Sequence, residues 1–130
     1  MKEKRQPTIL FIDDEAPWLQ AVSNVLRSEP YTVIIAASGD EALAKLQKAK
    51  PDLIVSDLRM PVMSGFDIFE KVKQNPRLKS VPFVFMSSLD DYDAKRVAKE
   101  LGADDYVDKP YDSREVKTVM NELLSRFEIL

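Results

Sequence analysis

Short, β-prone apolar runs recur along this chain, and each is followed by a segment with helical spacing. Thr8-Ile9-Leu10-Phe11-Ile12 is the first run, Tyr31 to Ala36 the second and Leu53-Ile54-Val55 the third. Val81 to Met86 is the fourth, and Asp105-Tyr106-Val107 is a short fifth. Apolar runs of this length without alternation are typical of strands buried on both faces, as in parallel sheets. Between them, Trp18, Ala21, Val22, Val25 and Leu26 recur at helical spacing up to about Ser28. Ala42, Leu43 and Leu46 do so up to about Ala49, and Phe66, Phe69 and Val72 up to Asn75-Pro76. Ala94, Val97, Ala98 and Leu101 follow, and the last helix carries Val116, Val119, Met120, Leu123, Leu124 and Phe127. Five strand–helix units with right-handed crossovers predict an α/β fold, a doubly wound parallel sheet with five helices on both faces.

Punctuation supports these boundaries. Pro17 suits the first turn of a helix. Ser38 to Glu41 has the form of a capping box, as does Asp112 to Glu115. Ser64 or Gly65 is expected to open the third helix, and Asp90 or Asp91 to cap the fourth. Gly102 fits a left-handed C-cap. The 130 residues are expected to form one domain (1–130), with its core at about 8–127 and an N-terminal segment at 1–7. That segment is polar and mostly charged and lacks the apolar stretch of a signal peptide. No apolar run approaches the length of a membrane span, so a cytoplasmic protein without membrane contact is expected.

Composition removes whole classes of chemistry. With no cysteine and no histidine, disulfides, thiol chemistry, ordinary zinc sites and histidine-based catalysis are excluded. A net charge of −3 without a basic cluster provides no footing for direct nucleic-acid binding.

What remains is at the strand ends. The first strand runs into Asp13-Asp14-Glu15, the third into Asp57, the fourth into Ser87-Ser88 and the fifth into Asp108-Lys109-Pro110. Parallel strands place their carboxyl ends on one edge, where ligands of open α/β sheets bind. Singly, each residue has an ordinary structural reading: a cap, a loop hydroxyl, a solvated charge. Together they suggest a site. Three converging carboxylates repel one another, and a hard divalent ion with oxygen ligands, Mg²⁺, relieves the repulsion. An Asp carboxylate can act as a nucleophile and form an aspartyl phosphate. Lys109 would then offset charge on the phosphoryl oxygens and Ser87 would donate a hydrogen bond.

Several motifs together carry a family resemblance: Ile12-Asp13-Asp14-Glu15, Asp57-Leu58-Arg59-Met60-Pro61 with Gly65, Met86-Ser87-Ser88, and Gly102-Ala103-Asp104-Asp105-Tyr106 leading to Lys109-Pro110. From about Thr8 to Phe127 the chain resembles the receiver domain of bacterial two-component response regulators. The resemblance implies a flavodoxin-like five-stranded sheet of order 2-1-3-4-5. It implies that Asp57 accepts the phosphoryl group from a sensor histidine kinase or histidine phosphotransfer protein. Asp14, Asp57 and the backbone carbonyl of Arg59 would ligate Mg²⁺, with Asp13 acting through water. Ser87 and Tyr106 would form the switch pair, reshaping the face of the fourth helix, fifth strand and last helix. Lys109 would contact the phosphate, and the Lys109–Pro110 bond would be cis. The chain would not be an enzyme in the usual sense, since it catalyses only its own phosphorylation and dephosphorylation. Ser87 stands where Thr is more frequent and Ser88 where Ala or Gly is usual, while Arg59 and Leu89 flank the pocket.

Trp18 has two readings, a core or boundary aromatic and an anchor docking the phosphodonor's helical bundle. With three residues after Phe127, output is expected either through binding of a downstream protein or through an effector domain on a longer natural chain. Three rivals fit less well. A haloacid-dehalogenase-like phosphatase would want Asp-x-Asp after the first strand, where Glu15 holds the third place. A flavin mononucleotide binder would need a hydroxyl- or glycine-rich loop there, and an inactive receiver-like scaffold would lack part of the constellation.

Overall fold

The computed structural model describes residues 6–129, so most of the expected N-terminal segment lies outside the described residues. The five strands are β1 (Thr8–Ile12), β2 (Thr32–Ala36), β3 (Leu53–Asp57), β4 (Phe83–Ser87) and β5 (Asp105–Asp108). The helices are α1 (Ala16–Val25), α2 (Gly39–Lys48), α3 (Gly65–Gln74), α4 (Ala94–Leu101) and α5 (Val116–Arg126), the last preceded by a 3₁₀ turn at Ser113–Glu115. All strand pairs are parallel, in the order β2-β1-β3-β4-β5. This is the flavodoxin-like doubly wound sheet.

Successive strand side chains point to opposite faces, so the apolar runs divide into two cores. Ile9, Phe11, Leu53, Val55, Val84 and Met86 pack against α1 and α5 through Leu19, Val22, Met120, Leu123 and Leu124. Leu10, Ile12, Ile54, Phe83 and Phe85 face α2, α3 and α4 through Ala42, Leu46, Ile68, Phe69 and Ala98. On this second face, Phe66, Phe69, Phe83 and Phe85 form a chain of tilted and edge-on ring contacts 5.1–5.7 Å apart. Such geometry adds to the free energy of burial itself. These rings lie directly behind the end of β3.

Helix ends follow local chemistry, with departures from the sequence pattern. Ser64 and Asp67 form a reciprocal capping box at α3. Ser38 caps α2 by accepting from the Glu41 N–H, but Glu41 takes the N–H of Ala37 rather than that of Ser38. The predicted box at Asp112 to Glu115 becomes the 3₁₀ turn, with Asp112 accepting from the Arg114 N–H. Neither Asp90 nor Asp91 caps α4. That helix begins after Asp93, whose side chain makes no cap and lies by Arg96, while the Asp91 carboxylate binds Arg59 and Ser87. Gly102 closes α4 at φ +83°, the left-handed region that favours glycine.

The register levels the site. Ile12 pairs with Ser56, so Asp13 follows at the height of Asp57. Asp57 pairs with Met86 and Ser87 with Asp108, which sets Lys109 one residue beyond. The Lys109–Pro110 bond is trans, contrary to expectation, since there is no cis peptide among the described residues. The Lys109 N–H donates to the Ser87 carbonyl at 2.7 Å, carrying the β4–β5 pairing one step past the strand. Its long side chain reaches the acidic cluster without a sharper turn.

Candidate functional site

The first strand delivers two adjacent aspartates to opposite situations. Asp13 is 3% exposed, whereas Asp14 is open to solvent. Asp13 Oδ1 accepts the N–H of Glu15 at 2.9 Å, and Oδ2 accepts Lys109 Nζ at 2.7 Å. Burial still dominates and holds the Asp13 carboxyl above the usual carboxylate range, against the pull of Lys109. Asp57, half-buried at the end of β3, is pushed up to about 7 by burial first and then by the negative charge of Asp13. Lys109 and the backbone N–H of Arg59 act in the opposite direction. Asp13, Asp14 and Asp57 each offer an oxygen within 4.8 Å of the others. These are three hard oxygen donors, two on β1's end and one on β3's, and they fit Mg²⁺ better than any softer ion.

Lys109 is the cation of the site, 11% exposed along its side chain. Burial works against its charge, but the bonds to Asp13 and to Glu15 Oε1, the latter at 2.6 Å, outweigh this and raise its pKa. The ammonium also stands 4.4 Å from the centre of the Trp18 ring, a cation–π geometry. Trp18 is half-buried, edge-on to Phe11 at 6.4 Å, and its buried indole N–H has no partner. The ring is therefore a wall of the site as well as a boundary aromatic. Glu15 enters the same arrangement. In the sequence Glu15 belongs to the family motif and disfavours a phosphatase, and its pairing with a lysine 94 residues away has no local signal.

On the other side, Ser87 is 3% exposed and its hydroxyl donates to Asp91 Oδ2 at 3.2 Å. Asp91 in turn receives Arg59 Nε at 2.5 Å and Nη2 at 3.1 Å. Tyr106 is half-buried, packs at the margin of the second core and donates its hydroxyl to Asp108 at 3.2 Å. Burial, followed by the charge of Asp108, pushes that phenol up to about 12. Ser87 and Tyr106 thus occupy neighbouring strands, Phe85 being level with Tyr106.

The loop after β3 is shaped by two unusual positions. A β-carbon on Gly65 would collide with the Asp57 carbonyl oxygen and press on Phe85 at 3.1 Å, so α3 approaches the site this closely only with glycine at its first position. Val62, fully exposed, sits at φ +68° in a tight turn closed by the Met63 N–H on the Pro61 carbonyl at 2.8 Å. A β-branched residue there is strained.

Comparison with known proteins agrees with this geometry. Residues 9–121 match the family model described as the response regulator receiver domain. The chain is 36% identical over 121 residues to the alkaline phosphatase synthesis transcriptional regulatory protein PhoP of Bacillus subtilis, covering 93% of this chain and 50% of that protein. It is 34% identical over 119 residues to the sensory transduction protein RegX3 of Mycobacterium tuberculosis, covering 92% and 51%. It thus spans about half the length of these curated relatives. The chemotaxis response regulator CheY4 of Vibrio cholerae superposes with a TM-score of 0.80 at 33% identity, over 92% of this chain and 100% of that one. The Mn²⁺-bound form of the response regulator Rcp1 does so with a TM-score of 0.75 at 26% identity, over 92% of each chain.

Proposed function

This chain belongs to the response regulator receiver family, a family of phosphoacceptor signalling domains, and from that premise we propose that Asp57 is the residue phosphorylated. The observation that carries the assignment is the cluster of Asp13, Asp14 and Asp57 within 4.8 Å, with Lys109 already paired to it. The donor is a phosphohistidine of a sensor kinase or histidine phosphotransfer protein. An Asp57 carboxylate oxygen attacks phosphorus, and an O–P bond forms as the N–P bond to the imidazole breaks. The leaving nitrogen keeps the electron pair and takes a proton from solvent.

The nucleophile is the ionised carboxylate, so a pKa near 7 leaves a metal-free site only partly ready at neutral pH. Asp14, Asp57 and the backbone carbonyl of Arg59 would hold Mg²⁺, with Asp13 in support, much as Rcp1 is known in a Mn²⁺-bound form. A cation there supplies neutralisation of charge on the carboxylates and on the phosphoryl oxygens. Lys109 moves from Asp13 and Glu15 toward the new phosphoryl group, and Ser87 gives it a hydrogen bond. Tyr106 then fills the space Ser87 vacates, changing the surface of α4, β5 and α5. The domain acts on itself alone, catalysing gain and loss of its own phosphoryl group. Its setting is cytoplasmic, and its output goes to a downstream protein or to an effector domain of a longer natural chain, without direct DNA contact by this unit.

Incubation with Mg²⁺ and acetyl phosphate adds one acid-labile phosphoryl group by intact-protein mass, and Asp57→Asn abolishes it. Equal labelling of that variant would refute the assignment. Release of phosphate from unrelated phosphomonoesters would instead favour a phosphatase.

A further inference from the structure

We propose that Asp91, clamped by Arg59, is a positioning residue that withholds the Ser87 hydroxyl from the phosphoacceptor in the resting protein. The inference rests on the reading of Asp57 as that acceptor. A serine hydroxyl has a single proton to donate. Here it is committed to Asp91 Oδ2, so Ser87 can serve a phosphoryl oxygen only by giving up this partner.

The partner is firmly held. Arg59 grips both Asp91 oxygens through Nε and Nη2, the forked geometry of the stronger charge-assisted pairs. The Asp91 side chain is 13% exposed and that of Arg59 57% exposed, so the guanidinium covers a sheltered carboxylate from the solvent side. The Asp93 N–H also bonds the carboxylate, and Tyr106, Lys95 and Asp108 line the same cavity farther off. The double grip of the guanidinium makes Asp91 one half of a charge-assisted pair, and its Oδ2 accepts from both Arg59 and Ser87.

Arg59 also touches the other half of the site, because its backbone N–H bonds the Asp57 carboxylate. One residue therefore ties the loop after β3, the strand that ends in the acceptor, to the loop after β4, the strand that ends in the hydroxyl. Phosphorylation exchanges one acceptor for another at Ser87, and the bond lost to Asp91 offsets much of the bond gained. The Arg59–Asp91 pair is in this way a latch that favours the unphosphorylated arrangement.

The test is a double-mutant cycle read by calorimetric binding of beryllofluoride, a phosphoryl mimic, in the presence of Mg²⁺. Asp91→Ala binds about tenfold more tightly than the unaltered protein, the effect of one charge-assisted hydrogen bond no longer competing. In a Ser87→Ala background the same substitution changes binding by less than about twofold, since no proton remains to be released. Thermal melts confirm that each variant is folded. Equal or weaker binding by Asp91→Ala overturns the latch. So does an equal gain in both backgrounds, which would mean simple removal of a negative charge. If the unaltered protein neither binds the mimic nor is labelled at Asp57, the phosphoacceptor reading fails and takes the latch with it.

Discussion

Replacing Asp57 by Asn should stabilise the metal-free protein, and by an amount that grows with pH. The carboxyl has a pKa of about 7 in the folded protein against an ordinary 3.8, chiefly because burial and Asp13 disfavour its charge. Between those values the folded protein holds a proton that the unfolded chain has lost, so stability falls as pH rises. Below 3.8 both states are protonated and the contribution vanishes. Above 7 the full cost is present, about 4 kcal/mol at 1.36 kcal/mol per pH unit. The carboxylate is only half-buried, and screening by solvent reduces this to about 2 kcal/mol. Asn keeps the shape and accepts the Arg59 N–H without the charge. Urea unfolding in a chelator should therefore show a gain below about 1 kcal/mol at pH 5, rising to about 2 kcal/mol at pH 8. Mg²⁺ at pH 8 should narrow the gap by stabilising the unaltered protein more than the variant. A pH-independent gain, or a loss of stability at pH 8, would show that the charge at Asp57 is already accommodated by its surroundings.

Gly65→Ala should cost about 2–3 kcal/mol in urea unfolding and slow acetyl-phosphate labelling, because the added methyl forces α3 away from Asp57; a neutral result would mean that α3 yields freely. Val62→Gly should raise stability by about 1 kcal/mol by relieving the positive-φ strain at an exposed position, and an unchanged melt would show that the turn is unstrained. Trp18→Phe keeps a ring against Phe11 and Lys109; if Trp18 also docks the phosphodonor, transfer from a phosphohistidine protein slows while acetyl-phosphate labelling holds, and equal transfer would confine the residue to its packing role.

The five strand–helix units were legible because each strand is a continuous apolar run closed by a polar residue, and a parallel sheet needs little else. The strand order was not readable from the runs, which are interchangeable in character, and came from family resemblance. Asp13, Asp14, Asp57, Ser87 and Lys109 were identifiable as one constellation since parallel pairing brings all strand ends to one edge. Their resting partners were not. Glu15 and Asp13 meet Lys109 across more than 90 residues, and Arg59 meets Asp91 across 32, through contacts between loops that no periodicity encodes. The expected cap at Asp90 or Asp91 fails in a similar way: an aspartate ahead of a helix has a strong local reading, but α4 starts only after Asp93 and Asp91 pairs with a distant guanidinium. The trans bond at Pro110 has a similar cause, since the bond from the Lys109 N–H to Ser87 already sets the direction of the chain.

The lysine poised over Trp18 makes the site optically self-reporting. The chain has one tryptophan, so its indole emission, excited selectively beyond the tyrosine band, comes from a single, known place. The excited indole is sensitive to local electric fields, and a full positive charge 4.4 Å from its ring is a large one. Any event that draws the ammonium toward a new anion, or shifts Asp13 and Glu15 beneath it, changes that field. Intensity or wavelength therefore tracks occupancy of the pocket in stopped-flow time, with no label attached. The kinetics of gain and loss of the phosphoryl group can be followed on the unmodified chain.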